Sequence, residues 1–157
     1  MSEIRKKAIE GLKVGDIFNI LRTFTEEQTV HFGDITRDFN PVHYDERFAR
    51  AKKFPGRICH GLLVASMICE IGGQVGWLAS GMNFHFRRPV YFGETITCCL
   101  TITDIDEKGR AKAKATYQNQ DGIVVLEAFL TGIIPGFPER QVLRAMVAEG
   151  DPTNKVR

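Results

Sequence analysis

The feature that most constrains the fold is a change in hydrophobic period near Gly81. The segment from about Gly61 to Ala79 is apolar nearly all round, and its few polar members, Ser66, Glu70 and Gln74, fall four apart. This pattern is typical of a helix that other structure surrounds. After Gly81, apolar and polar residues alternate, as in a strand with one buried face. We therefore expect a sheet that curls around one long buried helix.

Four strands are predicted after this helix. Alternating stretches begin at Met82, Ile96 and Ala111, and the run 123–134 is almost continuously apolar. Turn residues separate the strands, at Tyr91–Gly93, Glu107–Gly109 and Asn119–Gly122. Short turns imply antiparallel pairing.

The first third of the chain predicts one strand and two helices. Residues 16–24 read as a strand, and Thr25 to Gln28 have the form of a capping box that opens a helix to about Asp38. Asp45 is expected to cap a short helix through Lys52. The fold class is therefore α+β, with a single domain over residues 1–135. Residues 136–157 are expected to form a C-terminal tail with a helical turn or more around Arg140–Ala148.

Size and charge exclude several classes of function. The chain has 157 residues, enough for one core, and a formal net charge of +2, which is too balanced to indicate nucleic acid or an anionic membrane as a partner. The segment 1–16 has no apolar core of a signal peptide. No CxxC pair occurs among the four cysteines, so we expect buried thiols rather than disulfides. A reducing, cytoplasmic location is expected.

Asp38 and His43 are the candidate acid–base pair. They flank the rigid corner Asn40-Pro41, and the residue before proline avoids helical dihedrals, so the helix must end there. A carboxylate and an imidazole near one turn can hold a water molecule and exchange protons with it. The structural alternative is a turn-capping aspartate and an ordinary loop histidine, and the two residues alone do not exclude it.

Gly61 is the candidate oxyanion donor. It follows His60 at the predicted start of the buried helix, where backbone N–H groups lack helical acceptors and the dipole is positive. Without a side chain there, a ligand oxygen can approach those donors closely. A glycine needed only for helix–sheet packing is an equal alternative.

Basic residues offer a place for phosphate. Arg87 and Arg88 are adjacent on a predicted strand and face opposite ways, so one of them is near the surface; Lys52, Lys53 and Arg57 are further candidates. A solvated charged edge explains the same residues.

Three segments together resemble the MaoC-like family, the (R)-specific enoyl-CoA hydratases of the hot-dog fold. They are Asp38-x-Asn40-Pro41-x-His43, then Cys59 to Ser66, then Phe86-x-Arg88-Pro89-Val90-x-x-Gly93-Glu94. Their order and spacing agree with the family from about Val14 to Pro135.

The resemblance implies a fold, a reaction and a partner. It implies a long central helix wrapped by an antiparallel sheet, and a homodimer, or a dimer of dimers or hexamer. It implies hydration of trans-2-enoyl-CoA to (R)-3-hydroxyacyl-CoA, or the reverse, with an acyl-CoA or acyl carrier protein thioester as substrate. Asp38 and His43 would bind the water, and the Gly61 N–H would bind the thioester oxygen. Asn40, Leu62, Arg87 and Arg88 would contact substrate. No metal or cofactor is implied beyond the CoA of the substrate.

Two positions depart from the family pattern. Arg37 stands where the family often has glycine, and an arginine close to Asp38 would favour its carboxylate form unless it points outward. Cys69 stands where some relatives carry a serine near the site.

Other readings remain open at the level of sequence. A hot-dog thioesterase would use a carboxylate-activated water on the thioester carbonyl, and a non-catalytic subunit would bind acyl thioesters without turnover. A metal site is disfavoured because the histidines at 31, 43, 60 and 85 lack close ligand spacing.

Overall fold

The computed structural model describes residues 2–154 and contains six helices and five strands within them. The helices are α1 (Glu3–Glu10), α2 (Glu26–Thr36), α3 (Glu46–Ala51), α4 (Gly61–Ala65), α5 (Met67–Val75) and α6 (Phe137–Ala148). The strands are β1 (Ile17–Thr23), β2 (Leu78–Phe86), β3 (Thr95–Ile105), β4 (Arg110–Gln118) and β5 (Val124–Ile133). A 3₁₀ turn spans Pro41–His43.

The five strands form one antiparallel sheet in the order β1-β3-β4-β5-β2. Alternate residues of β3 and β4 are buried, as the period-two pattern predicts. They pack against α4 and α5, whose Val64, Met67 and Ile71 belong to the same core. The predicted α+β plan, a sheet curled around a helical segment, is confirmed.

The predicted long helix is divided at Ser66. The Tyr117 hydroxyl donates to the carbonyl of Ala65 at 2.9 Å within the core, and the N–H of Cys69 donates to Ser66 O at 2.8 Å instead. A hydrogen bond from residue i to i−3 tightens the helix at that point, which separates α4 from α5.

The prediction that this helix runs to Ala79 is wrong. It ends at Val75, because Gly76 adopts the left-handed conformation (φ 79°) as its C-cap. β2 then begins at Leu78, earlier than the change of period near Gly81 indicated. Likewise α2 ends at Thr36 instead of about Asp38, and its C-cap is Arg37, also left-handed (φ 59°). Both helix ends are set by a left-handed backbone conformation at the cap. The spacing of hydrophobic residues does not predict that conformation.

The two ends of the described chain meet over α5. The Ser2 hydroxyl donates to Gln74 at 2.8 Å, and its N–H donates to the Asn154 side chain at 3.3 Å. Arg5 forms a buried ion pair with Asp151 at 3.7 Å. Helix α1, which the sequence did not predict, thus covers the outer side of α5. The predicted helical part of the tail is α6, which begins at Phe137, before Arg140.

Candidate active site

The backbone between α2 and the 3₁₀ turn presents Asp38. Arg37 reverses the chain in the left-handed conformation, and the Asn40 N–H donates to Asp38 Oδ1 at 3.2 Å. Asn40 in turn caps the 3₁₀ turn, accepting from the Val42 N–H at 3.2 Å. With Oδ1 engaged by the backbone, Oδ2 is the oxygen left to face the site. The side chain is half exposed.

His43 is buried, and its tautomer follows from one contact. Its Nδ1 lies 2.8 Å from the carbonyl oxygen of Ile58, which can only accept. Nδ1 therefore carries the proton. Nε2 keeps a free lone pair and lies 4.0 Å from Asp38 Oδ2. This separation leaves room for a water molecule hydrogen-bonded to both groups.

Burial lowers the pKa of His43 below its ordinary value of 6.5. The hydrogen bond to Ile58 opposes this shift, the neighbouring His60 ring adds to it, and the Asp38 carboxylate also opposes it. The imidazole is therefore neutral at pH 7, in the form that accepts a proton at Nε2.

A cavity of about 370 Å³ opens beside this pair. It brings together Asp38, His43, Gly61, Leu62 and Arg88. The rest of its wall is mainly apolar, formed by Phe54, Val64, Phe86, Val90, Val125 and Leu126. An apolar cleft with a few convergent polar groups is the usual form of a small-molecule site.

Gly61 is the first residue of α4, and its N–H has no acceptor among residues 2–154. Leu62 is 57% exposed beside it. Backbone donors at the start of α4 thus lie at the wall of the cavity that also contains the Asp38–His43 pair, which is the arrangement that an oxyanion requires.

Two predicted substrate-binding residues lie outside this cavity. Arg87 donates from Nε to Glu127 at 2.9 Å on the outer face of the sheet, whereas Arg88 lines the cavity. Asn40 supports the turn through the bonds described above. Their direct contact with substrate stays a prediction.

The two departures from the family pattern face away from the site. Arg37 is exposed, and no ion pair between it and Asp38 occurs in the described part of the chain. Cys69 lies beside a separate apolar cavity of about 190 Å³ under α5, together with Trp77 and Leu130. The thiol of Cys59 lines the catalytic cavity, but burial raises its pKa to about 11, so it stays protonated and is a poor nucleophile.

His60 is the site residue that sequence reasoning missed. Its Nε2 lies 2.8 Å from the carbonyl oxygen of Asp38, and its ring stacks on His43 with centroids 3.8 Å apart. The two histidines are far apart in the chain, so their spacing gave no signal, and only the proximity of His60 to Gly61 pointed to this region.

Asp38, His43 and His60 have ligand atoms within 4.8 Å of one another, which corrects the inference from histidine spacing. Two histidines and one carboxylate can hold a transition metal. However, the Nε2 proton of His60 is committed to the Asp38 carbonyl. A metal ion bound at that nitrogen would have to break this hydrogen bond.

Comparisons with known proteins identify the family of the chain. The model of the MaoC-like domain matches residues 17–122. A 3-hydroxyacyl-[acyl-carrier-protein] dehydratase of Arabidopsis thaliana mitochondria is 32% identical over 130 residues, 79% of this chain and 78% of the relative. An (R)-specific enoyl-CoA hydratase of Rhodospirillum rubrum is 28% identical over 130 residues, 80% of this chain and 90% of the relative.

A solved structure has the same fold. The (R)-hydratase of Aeromonas caviae superposes with a TM-score of 0.75 at 27% identity, covering 80% of this chain and 99% of its own. The predicted hot-dog fold is confirmed. The matched segment contains Asp38, His43 and Gly61, and the chain belongs to the MaoC-like domain family.

Proposed function

We propose that this protein interconverts trans-2-enoyl thioesters and (R)-3-hydroxyacyl thioesters by adding or removing water. The observation that carries the proposal is the meeting of Asp38, His43 and the free N–H of Gly61 at one apolar cavity. The names of the related dehydratases and hydratases support it.

The geometry suggests how hydration proceeds. The acyl chain occupies the apolar wall of the cavity, and the thioester oxygen accepts the Gly61 N–H. A water molecule between Asp38 Oδ2 and His43 Nε2 loses one proton to the pair as its oxygen bonds to C3. The electrons of the double bond move toward the thioester oxygen, and C2 then takes a proton from the pair. The net addition is one molecule of water.

Each part contributes a recognised share of rate. General acid–base groups typically supply ~10²–10⁴-fold. A single oxyanion donor supplies ~10²–10³-fold. Because the backbone already fixes Asp38 and His43, little reorganisation is needed when substrate enters.

The test is a panel of trans-2-enoyl-CoA chain lengths, with the chirality of the hydroxy product determined. Wild-type protein should give the (R) product, and both Asp38→Asn and His43→Ala should lose at least ~10²-fold in kcat/KM. Full activity in both variants would refute the site. Release of free CoA would indicate a thioesterase, and tight binding without turnover would indicate a non-catalytic subunit.

We also propose that no metal or other cofactor is needed. The Nε2 proton of His60 is donated to the backbone carbonyl of Asp38, so this nitrogen is not available as a metal ligand while that bond is made. Activity should survive exhaustive chelation and return of the protein to metal-free buffer. The substrate is carried by CoA or by acyl carrier protein. One relative is named for each carrier, so parallel assays with the two carriers are required.

A homodimer is proposed on the basis of β2. This strand pairs with β5 on one side only, and within residues 2–154 its other edge has no partner. It carries the exposed apolar side chains Leu78, Met82 and Phe86. A long apolar edge strand invites pairing with a second copy. Light scattering should give a dimer or a multiple of it, and Met82→Pro, which removes an N–H on the open edge of β2, should yield monomers.

A cytoplasmic location is retained as a proposal. No helix among the described residues has the length and apolar character needed to span a membrane. One relative is named mitochondrial, so fractionation of the source cell is the direct measurement.

A further inference from the structure

His60 lies at the centre of the site without a role in the chemistry just described. It is the residue directly before α4 and is 1% exposed. The ring of Phe32 lies 5.3 Å from its own, and that of Tyr44 lies 6.0 Å away. A polar side chain so completely enclosed by aromatic rings needs a reason, since burial of an imidazole is unfavourable unless it is hydrogen-bonded.

Its single hydrogen bond is made to the catalytic loop. Nε2 lies 2.8 Å from the backbone oxygen of Asp38, and that carbonyl can only accept, so Nε2 carries the proton. The other nitrogen, Nδ1, is buried and has no partner among the described residues. The ring is therefore held by one polar contact, the bond to the Asp38 carbonyl.

The same ring supports His43. The two imidazoles stack with centroids 3.8 Å apart and planes inclined by 32°. His43 Nδ1 is held by Ile58, so the bond to Ile58 and the His60 ring together fix where Nε2 points. His60 thus contacts the backbone of one member of the catalytic pair and the ring of the other.

It is also joined by one peptide bond to Gly61, the candidate oxyanion donor. A displacement of His60 would move three things at once: the Asp38 loop, the His43 ring and the start of α4. A misplacement of about 1 Å in a reacting group can cost ~10²-fold in rate. Among the side-chain hydrogen bonds and ring contacts of the described residues, Tyr44 also reaches both members of the pair.

Tyr44 makes the weaker contribution. Its hydroxyl lies 3.5 Å from the same Asp38 oxygen, at the limit of a hydrogen bond, and its ring centroid is 6.4 Å from that of His43. Without His60, the Asp38 carbonyl would keep only this long contact.

We propose that His60 is a positioning residue that registers Asp38, His43 and the Gly61 N–H against one another. This rests on the proposed hydratase function for its kinetic readout. His60 Nε2 lies 3.9 Å from Asp38 Oδ2, too far for a direct hydrogen bond, and its proton is donated to the Asp38 carbonyl. His60 therefore acts through that carbonyl and through the His43 ring. A residue that served only to fill the core would affect folding and leave turnover per folded molecule unchanged.

Two substitutions separate these roles. His60→Leu fills similar space but removes the donor and the ring, whereas His60→Gln keeps an N–H donor for the Asp38 carbonyl. Val75→Ala is the matched control. Val75 is buried at the far end of α5, so its truncation destabilises the same core at a distance from the site. Rates are divided by the folded fraction of each protein, measured by circular dichroism.

In His60→Leu, kcat should fall at least about tenfold while KM changes by less than about twofold, because the transition state and not substrate binding needs the alignment. On a logarithmic scale, His60→Gln should regain at least about half of the kcat that His60→Leu loses. The kcat of Val75→Ala per folded molecule should match that of wild type. In ¹⁵N-labelled protein, relaxation dispersion should detect little exchange at the backbone amides of Asp38, His43 and Gly61 in wild type and pronounced exchange in His60→Leu.

The proposal is overturned if His60→Leu keeps the wild-type kcat per folded molecule, or if His60→Gln is as slow as His60→Leu. If wild type hydrates none of the enoyl thioesters tested, the proposed function fails by itself. The relaxation measurement then decides the positioning role, because it needs no substrate: amides of Asp38, His43 and Gly61 that show no added exchange in His60→Leu overturn it.

Discussion

A Cβ atom placed on Gly61 would lie 2.7 Å from Cε1 of Phe86. The edge of that ring lies against Gly61, which lines the cavity. Gly61 does not have a positive φ, so the requirement for glycine is one of space and not of backbone conformation. The strand β2 and the helix start at α4 are therefore fitted to each other at the active site.

Gly61→Ala should lower kcat/KM at least about tenfold, because either Phe86 or the start of α4 must give way and the N–H moves with it. Steady-state hydration of an enoyl-CoA measures this. Adding Phe86→Leu to the same chain should restore part of the loss by making room. Wild-type kinetics in Gly61→Ala would mean that this N–H does not contact the transition state.

Gly73→Ala is the matched control. Gly73 lies in α5, and a Cβ there meets no atom within 4 Å. It should raise the free energy of unfolding by about 0.5–1 kcal/mol through helix propensity and leave the kinetics unchanged. Urea unfolding together with the same assay tests both halves.

Arg37→Gly should stabilise the protein by up to about 1 kcal/mol. Arg37 has φ 59°, a conformation that costs about 1–2 kcal/mol for a residue with a Cβ, and glycine gives back part of the gain as entropy of the unfolded chain. Glycine at this position in the family has a conformational explanation in this cap. Because Arg37 is exposed and makes no ion pair with Asp38 in the described part of the chain, kcat/KM should stay within about twofold.

Lys53→Gly serves as the comparison for backbone strain, since Lys53 has φ 66° and is also exposed. Both variants should raise the urea midpoint by similar amounts. A large loss of activity in Arg37→Gly alone would show that the arginine side chain acts on the catalytic loop.

The acid limb of kcat/KM should lie below pH 6.5. Burial lowers the pKa of His43, so the free enzyme keeps the neutral imidazole until the pH falls below that ordinary value. If neutral His43 accepts the proton, activity is constant around pH 7 and declines as protonation begins. A rate that instead rises as the pH is lowered through 6.5 would assign the protonated ring to catalysis.

The same shift affects stability. The unfolded chain takes up a proton on His43 near pH 6.5, while the folded chain resists it until a lower pH. The free energy of unfolding should therefore be fully retained above pH 6.5 and decrease between that value and the lowered folded pKa. Urea unfolding across this range, with His43→Gln as a non-titrating control, isolates the contribution.

Arg88→Ala should raise KM for CoA thioesters several-fold to about tenfold, because Arg88 lines the cavity and has no ion-pair partner among the described residues. Arg87→Ala is the matched control, since Arg87 is held by Glu127 on the sheet. With an N-acetylcysteamine thioester, which carries no phosphate, both variants should behave like wild type. An equal effect on both thioesters would exclude phosphate as the group that Arg88 binds.

The sequence predicted the strands better than the helices, for a physical reason. Alternation along β3 and β4 reports directly which face is buried. The boundary between α5 and β2 is hidden, because Trp77, Leu78 and Ala79 are apolar and suit either element. The left-handed Gly76 is the signal that marks it. Helix α1 escaped notice because only Ala8, Ile9 and the paired Arg5 are buried in it.

The candidate site was predicted as far as it is local in the chain. Asp38 and His43 share one turn, and their motif is readable as such. His60 joins them because the chain at Ile58 and Cys59 passes back beside the 3₁₀ turn. His43 Nδ1 donates to Ile58 O, and the Cys59 N–H donates to Val90 O. Contacts of this kind depend on the tertiary fold. The sequence predicted that Arg87 and Arg88 face opposite ways, and the structure shows that Arg88 is the one that lines the cavity.

The meeting of Ser2 with Asn154 over α5 makes the described chain nearly a closed ring. In such a ring the place where the backbone is cut is topologically arbitrary. A linker from residue 154 to residue 2, with a new opening at the Glu107–Gly109 turn, leaves all four strand pairings in place and turns a short hairpin into a pair of chain ends. The folded unit is thus defined by its packing contacts and not by the position of its chain ends. It extends beyond the family match at residues 17–122 and includes α1 and α6.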